Sequence, residues 1–257
     1  MQDWMLFLVQ ERLFNLMANN YFRFKEFTVY QGDCAMKVCT DACIQGAYTA
    51  RYILENTLPS SEIMDIGTGT GLLSLMLAQQ LPTATITAVE LDGDAATQAA
   101  GNMALSPWSA RICVITGDVK ELPVTALYDF IITNPPFYEA DLKSNDQLRN
   151  QAMHATTLNY ASLLDVITSH LSPDGVFSIL LPYHPFKDFT TKAADAGFHA
   201  QQILHVRQSV QHDYFRSVGI FKRGEGVSDI EEMAIRETGN IYTAAFTDLL
   251  KPYYLYL

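Results

Sequence analysis

The chain has 257 residues, 49% of them hydrophobic and 18% charged, which suits one large soluble α/β domain with appendages and excludes a disordered or fibrous chain. No apolar run approaches the about 20 residues that span a bilayer, and residues 1–9 lack the basic flank and small-residue cleavage site of a signal peptide. A formal net charge of −11 opposes a generally basic nucleic-acid-binding protein and leaves only a local basic face for that role.

Four cysteines, Cys34, Cys39, Cys43 and Cys113, lack the paired C-x2-C spacing of a zinc site, so no metal is expected. With no secretion signal, reduced thiols in a cytoplasmic protein are the expectation. Arg23, Lys25 and Lys37 cluster near the N-terminus, and Arg207, Arg216, Lys222 and Arg223 bracket two strands near the C-terminus. Each is a candidate for an RNA-facing surface, and each also reads as an ordinary solvated charge.

In chain order, residues 1–60 form an N-terminal extension and a helical lid segment. From residue 61 strands and helices alternate. Residues 61–66 read as a strand, 71–81 as a helix and 84–90 as a strand rich in β-branched residues. A helix over 93–105 is opened by Asp92 or Asp94, and strands follow over 111–116 and 127–133. The polar connection 138–158 is long enough to be functional or disordered. A helix over 160–171, the turn Ser172-Pro173-Asp174-Gly175, a strand over 175–181 and a helix over 185–196 ending at Gly197 come next. Residues 198–208 and 214–223 read as an antiparallel pair. The tail 225–257 carries an acidic stretch (Glu225, Asp229, Glu231, Glu232, Glu237), read as a solvated face, and an aromatic-rich end from Tyr242 onward. It is expected to add a short strand and a helix that pack on the core. The core, 61–224, is therefore an α/β doubly wound, seven-stranded, mostly parallel sheet with right-handed crossovers and a terminal antiparallel hairpin, the Rossmann-like pattern of class I methyltransferases.

Asp65-Ile66-Gly67-Thr68-Gly69-Thr70-Gly71 follows the first strand and opens a helix. Glycines there permit a tight turn, approach of a ligand to the backbone and close helix–strand packing. A lone glycine-rich loop is weak evidence, because dinucleotide binders use related turns. The order G-x-G-x-G after an acid departs from the dinucleotide G-x-G-x-x-G. Glu90 ends the second strand, placed to accept from ribose hydroxyls, and Asp118 follows the third strand, placed to accept from an adenine amine. The fourth strand ends in Asn134-Pro135-Pro136-Phe137. Four strand ends on the carboxyl edge, each with a suitable group, point to S-adenosylmethionine.

Asn134 offers a side-chain oxygen to an exocyclic amine, the prolines fix φ and withdraw backbone donors, and Phe137 gives a stacking face for a base. A nucleobase amine is a poor nucleophile because its lone pair is delocalised. Accepting its hydrogens on Asn134 and on the Pro135 carbonyl favours a tetrahedral nitrogen facing a methyl donor. Taken alone, the tetrapeptide reads more readily as a strand ending in a proline turn.

Asp65 to Leu73, Ala88-Val89-Glu90-Leu91, Ser106-Pro107-Trp108 and Asn134 to Phe137 occur in that order, preceded by Phe27-Thr28-Val29 and Cys34-Ala35-Met36-Lys37-Val38-Cys39-Thr40-Asp41. In these segments the chain closely resembles the bacterial tRNA1(Val) (adenine(37)-N6)-methyltransferases, which methylate the adenine just 3′ of the anticodon. The glycine loop and NPPF are shared by many methyltransferases, whereas Cys-Ala-Met-Lys-Val and Ser-Pro-Trp are more particular to this group. The resemblance implies that Thr40 and Asp41 lie near the methionine end of S-adenosylmethionine with Asp65 and Gly67. It further implies that Glu90 holds the ribose, Asp118 the adenine and Asn134 to Phe137 the target base, with Lys37 and Arg23 near a valine tRNA. The chain departs from the family pattern with Cys39 and Ala42 in place of glycines and Phe137 in place of tyrosine. The first 16 residues have no counterpart in it, so Met17 is a candidate start and an added amphipathic helix the competing expectation.

Three other readings remain at this level. A release-factor glutamine methyltransferase grips an amide in the same way, but needs a larger helical N-terminal domain than residues 1–60 supply. A guanine-N2 methyltransferase of ribosomal RNA also uses an NPP motif. A SAM-binding RNA interaction module without catalysis is disfavoured by the intact Asn134.

Overall fold

The computed structural model describes residues 20–32, 37–136, 159–226, 228–239 and 241–257. The expectations for residues 1–19, Cys34, Phe137 and the connection 138–158 lie outside the described residues.

Residues 20–32 form a hairpin, β1 (Tyr21–Arg23) and β2 (Thr28–Tyr30), where a helical segment is expected from the sequence. Its aromatic residues explain the difference. Phe24 stacks on Phe27 at 4.4 Å between centroids, and Phe27 meets Trp108 edge-on at 5.7 Å. Such rings fit a pleated, half-buried surface better than a solvated helix. Helix α1 (Thr40–Glu55) follows, and ten of its residues are buried.

Next come β3 (Glu62–Ile66), α2 (Leu72–Gln80), β4 (Thr85–Glu90), α3 (Gly93–Ala104), β5 (Ile112–Thr116) and β6 (Tyr128–Thr133). Then α4 (Tyr160–His170), β7 (Leu171–Pro182), α5 (Tyr183–Asp195), β8 (Phe198–Ser209), β9 (Tyr214–Arg223), β10 (Asp229–Arg236) and α6 (Ala244–Leu250) complete the chain. Side chains at the N-caps open three of the helices, with Asp92 the one expected from the sequence. Asp92 accepts from the Ala95 N–H at 2.9 Å, Asn159 from Ser162 at 2.9 Å and Thr243 from Phe246 at 3.1 Å.

The strands make one sheet in the order β10-β8-β9-β7-β6-β3-β4-β5, eight strands where seven are expected. All neighbours are parallel except the two pairs that β9 makes, with β7 and β8. The additional strand is β10, paired parallel to β8 at the edge. It carries the acidic stretch. Asp229, Glu231 and Glu232 are exposed, while Met233, Ala234 and Ile235 turn inward. Charged residues on an outer strand discourage pairing with another chain.

Because most strands are covered on both faces, their side chains alternate between two apolar layers. Ile63, Ile86, Phe130, Ile132 and Val218 face the layer that includes α1, α2, α3 and α6. Met64, Ile131, Phe177, Ile179 and Phe221 face α4 and α5. The hairpin and the C-terminal residues pack together on the first layer, where the Lys25 N–H donates to the Tyr253 carbonyl at 2.8 Å and Phe24 bridges Tyr254. No helix among the described residues is long and apolar enough to cross a membrane.

Candidate functional site

The parallel strands deliver their carboxyl ends to one edge, where open α/β sheets bind ligands. At the end of β3 the chain turns through Gly67, Gly69 and Gly71 with φ of 71°, 55° and 84°. A Cβ at Gly67 or Gly69 would meet nothing within 4 Å, so the loop face is open to a ligand. At Gly71 it would stand 2.9 Å from Met103 Cε, so that glycine serves helix packing instead. The Gly67 and Thr68 N–H groups donate to the Val89 carbonyl at 2.9 and 3.0 Å, binding the loop to β4.

Asp65 is fully buried. Its Oδ2 accepts from the Thr68 hydroxyl at 2.6 Å and the Ser74 hydroxyl at 2.7 Å, while Oδ1 has no hydrogen-bond partner. Burial pushes its carboxyl up to about 6, against the pull of those two hydroxyls. Glu90, half-buried at the end of β4, accepts from the Gly69 N–H at 2.8 Å through Oε2 and from the Asp92 N–H at 3.0 Å through Oε1. Two backbone donors thus fix the carboxylate beside the glycine loop. At the next strand end the Gly117 N–H donates to the Glu90 carbonyl at 2.8 Å. Asp118 caps the short turn Val119–Glu121, accepting from the Lys120 N–H at 3.0 Å and pairing with the Lys120 ammonium at 3.1 Å.

Asn134 follows β6, with Pro135 buried and Pro136 exposed beyond it. The Asn134 Oδ1 is buried and has no hydrogen-bond partner. An unpaired buried amide oxygen costs free energy, and such an atom at a cleft is where a ligand donor belongs. Asn134 lines a cavity of about 530 Å³ together with Lys37, Thr40, Asp41, Phe215, Arg216 and Arg236. Thr40 and Asp41, drawn from the start of α1, therefore do meet Asn134, and Asp41 Oδ2 pairs with Arg216 Nε at 2.7 Å. Cys39, Cys43 and Cys113 are free thiols, and the described residues contain no group of metal-ligating side chains.

Several residues of the site escaped the sequence reading. Arg216 was noted only as a basic residue near the C-terminus, and Arg236 and Tyr242 belong to the tail. Gln45 is fully buried and donates through Nε2 to the Thr133 carbonyl at 2.9 Å, while the Thr133 hydroxyl donates to the Ile66 carbonyl at 2.9 Å. These bonds tie the approach to Asn134 to the strand that enters the glycine loop. The signal for Gln45 was present: Asp41, Gln45 and Thr49 form an i, i+4, i+8 polar stripe on a helix of mostly buried residues. Asn102 is a further tie, donating to the carbonyls of Tyr30 at 2.8 Å and Thr70 at 2.9 Å, and so joining β2 to the glycine loop.

The open faces of Gly67 and Gly69, the fixed Glu90 carboxylate and the unpaired Asn134 oxygen fit S-adenosylmethionine on the β3–β5 side of Asn134. Residues 48–180 match the family model described as the methyltransferase small domain. A tRNA1(Val) (adenine(37)-N6)-methyltransferase of Dyadobacter fermentans is 41% identical over 241 residues, covering 92% of this chain and 98% of that protein. One of the same name from Citrobacter koseri is 37% identical over 94% of this chain and 97% of its own length. Among solved structures, one described as a predicted O-methyltransferase from Agrobacterium tumefaciens superposes with a TM-score of 0.64 at 19% identity, covering 82% of this chain and 96% of that one, a likeness of fold alone. The chain belongs to the tRNA1(Val) (adenine(37)-N6)-methyltransferase family and is a methyltransferase whose cofactor is S-adenosylmethionine.

Proposed function

We propose that this protein transfers a methyl group to the N6 amine of adenine 37, next to the anticodon of tRNA1(Val), in the cytoplasm. The observation that carries the reading is the Asn134 Oδ1, buried without a partner at the end of β6 in a residue that lines the cavity. S-adenosylmethionine supplies an electrophilic methyl carried on a sulfonium sulfur. Glu90, Asp118 and the faces of Gly67 and Gly69 hold the cofactor, and Thr40, Asp41 and Asp65 stand toward its amino-acid end. The Asn134 oxygen and the Pro135 carbonyl accept the two amine hydrogens, which turns the nitrogen lone pair away from the base plane. Phe137 stacks on the extruded base. Alignment and preorganised acceptors supply the acceleration, with no covalent enzyme intermediate. The names of the relatives support tRNA as the substrate, and the valine isoacceptor and the nucleotide position follow the same names.

The test is to incubate the protein with labelled S-adenosylmethionine and either unmodified tRNA or a release factor, then digest and identify the product. N6-methyladenosine confined to one tRNA is expected. Methylglutamine, N2-methylguanosine or no transfer to RNA defeats the proposal. In the same assay Asn134→Ala should keep cofactor affinity and lose about 100-fold or more in kcat, the loss typical of one preorganised group at the reacting centre. Turnover near wild type would show that Asn134 does not hold the amine.

A further inference from the structure

We propose that the cavity on the β9–β10 side of Asn134 is a phosphate subsite, in which Arg216, Arg236 and Lys37 take an RNA backbone phosphate flanking the target adenine. The inference rests on the proposed tRNA substrate.

Topology separates the two halves of the site. With Asn134 at the end of β6, the loop after β3, Glu90 after β4 and Asp118 after β5 lie to one side of the sheet order. On the other side lie β7, β9, β8 and β10. Because β9 runs against β7, with Arg216 opposite Pro182, the start of β9 reaches the same edge as the carboxyl end of β7. The carboxyl end of β10 reaches it too, with Arg236 opposite Ser209 at the end of β8. The cavity occupies this second half and meets the residues assigned to the cofactor at Thr40 and Asp41.

Its chemistry is unlike that of the molecule as a whole. In a chain of net charge −11, the described residues of the lining include three cations and one carboxylate, Asp41. Both guanidinium groups are held in place. Arg216 pairs with Asp41 through Nε at 2.7 Å and lies over the Phe215 ring at 5.3 Å. Arg236 lies over the Tyr242 ring at 4.4 Å and donates through Nη2 to the Tyr242 hydroxyl at 3.2 Å. Of the guanidinium donors of Arg216, Nε goes to Asp41 and Nη1 to the Phe215 carbonyl at 3.2 Å, which orients the group. Oriented forks match the geometry of a phosphate, and aromatic rings beside them suit a nucleotide. A volume of about 530 Å³ lies within the usual range of small-ligand pockets.

Other arginines have their partners outside the cavity. Arg223 donates to the carbonyls of Thr168, Leu171 and Ser172, and Arg111 to those of Ala78, Leu81 and Ala84. Arg207 pairs with Glu232 at 3.6 Å and Arg51 with Glu231 at 3.3 Å. These four lie outside the lining of the cavity, which gathers Lys37, Arg216 and Arg236 around Asn134.

The experiment compares wild type with Arg236→Gln, Arg216→Gln and Lys37→Gln on the full chain. It measures KM for unmodified tRNA, the salt dependence of tRNA binding, cofactor affinity by calorimetry and the thermal midpoint. Lys37 is exposed, so its variant remains informative if an arginine variant folds poorly. Each arginine variant is expected to raise KM for tRNA about ten- to hundredfold, the usual worth of a charge-assisted hydrogen bond. Lys37→Gln is expected to act more weakly. The salt slope should become shallower by about one per lost phosphate contact, with cofactor affinity unchanged in Arg236→Gln and Lys37→Gln. Wild-type methylation of tRNA together with unchanged KM and salt slope in Arg236→Gln and Lys37→Gln overturns the subsite and leaves the proposed function standing. Lost cofactor affinity with unaltered tRNA binding also overturns it. A wild-type protein that methylates no tRNA defeats the underlying function instead.

Discussion

Asp65 shows how one residue serves the glycine loop at a cost. Its carboxyl is buried, satisfied on Oδ2 by Thr68 and Ser74 and unpaired on Oδ1. Burial raises its ionisation from 3.8 to about 6, so the folded state keeps the proton to higher pH than the unfolded chain does. A raised carboxyl ionisation destabilises above it, and stability is lost as pH climbs from about 4 through about 6. A displacement of this size corresponds to about 3 kcal/mol. Asp65→Asn keeps an oxygen acceptor but cannot ionise. Between pH 4 and pH 7 its unfolding free energy should therefore gain on wild type by up to about 3 kcal/mol, read from urea denaturation at each pH. Parallel curves for the two proteins would show that Asp65 is not ionising in the fold. Glu90 presents the opposite design, with two backbone N–H groups holding its carboxylate at the edge where a ligand can reach it.

Helix α1 is the element that joins the two halves of the site. Its stripe of Asp41, Gln45 and Thr49 reaches Arg216 of β9, the carbonyl of Thr133 at the end of β6 and, through a 2.8 Å hydroxyl contact, Ser178 of β7. Polar groups on a buried face are stable because each meets a partner across the interface. Gly46 lets α1 approach α2, since a Cβ there would lie 2.8 Å from Met76 Sδ. The Thr133 hydroxyl continues the link to Ile66, which directly precedes the glycine loop. Thr133→Val preserves shape and removes the hydroxyl, leaving that carbonyl bond unmade. It should lower kcat for methyl transfer about tenfold through misalignment of Asn134, while KM for tRNA changes little. Thr133→Ser should restore the rate. If Val and Ser variants turn over alike, the hydroxyl bond does not position the site.

For the molecule as a whole, the C-terminal tail is part of the core. Phe246, Leu250 and Tyr253 are buried, Phe246 stacks on Tyr242 at 4.7 Å, and the Tyr253 hydroxyl donates to the Met76 carbonyl at 3.3 Å. The same tail meets the N-terminal hairpin, so residues far apart in sequence close one apolar layer. Phe246→Ala should lower the unfolding free energy by about 3–5 kcal/mol, the range for emptying a buried aromatic site, as read from the urea midpoint. A loss below about 1 kcal/mol would place Phe246 outside the cooperative core.

By itself the sequence determined the alternation of strands and helices and the placement of Gly67, Glu90, Asp118 and Asn134 at successive strand ends. Short-range rules sufficed there, because periodicity, caps and turn glycines act within a few residues. The hairpin at residues 20–32 and the edge position of β10 were decided only in the tertiary structure, because each depends on partners distant in the chain: Trp108 and Tyr254 for the hairpin, β8 for β10. For the same reason Arg216 looked like one basic residue among several until Asp41, Arg236 and Asn134 were brought around one cavity. Local pattern set the elements and the groups at the ends of β3 to β6. Long-range packing built the cavity beside Asn134, where charge and shape come from segments that meet only in the fold.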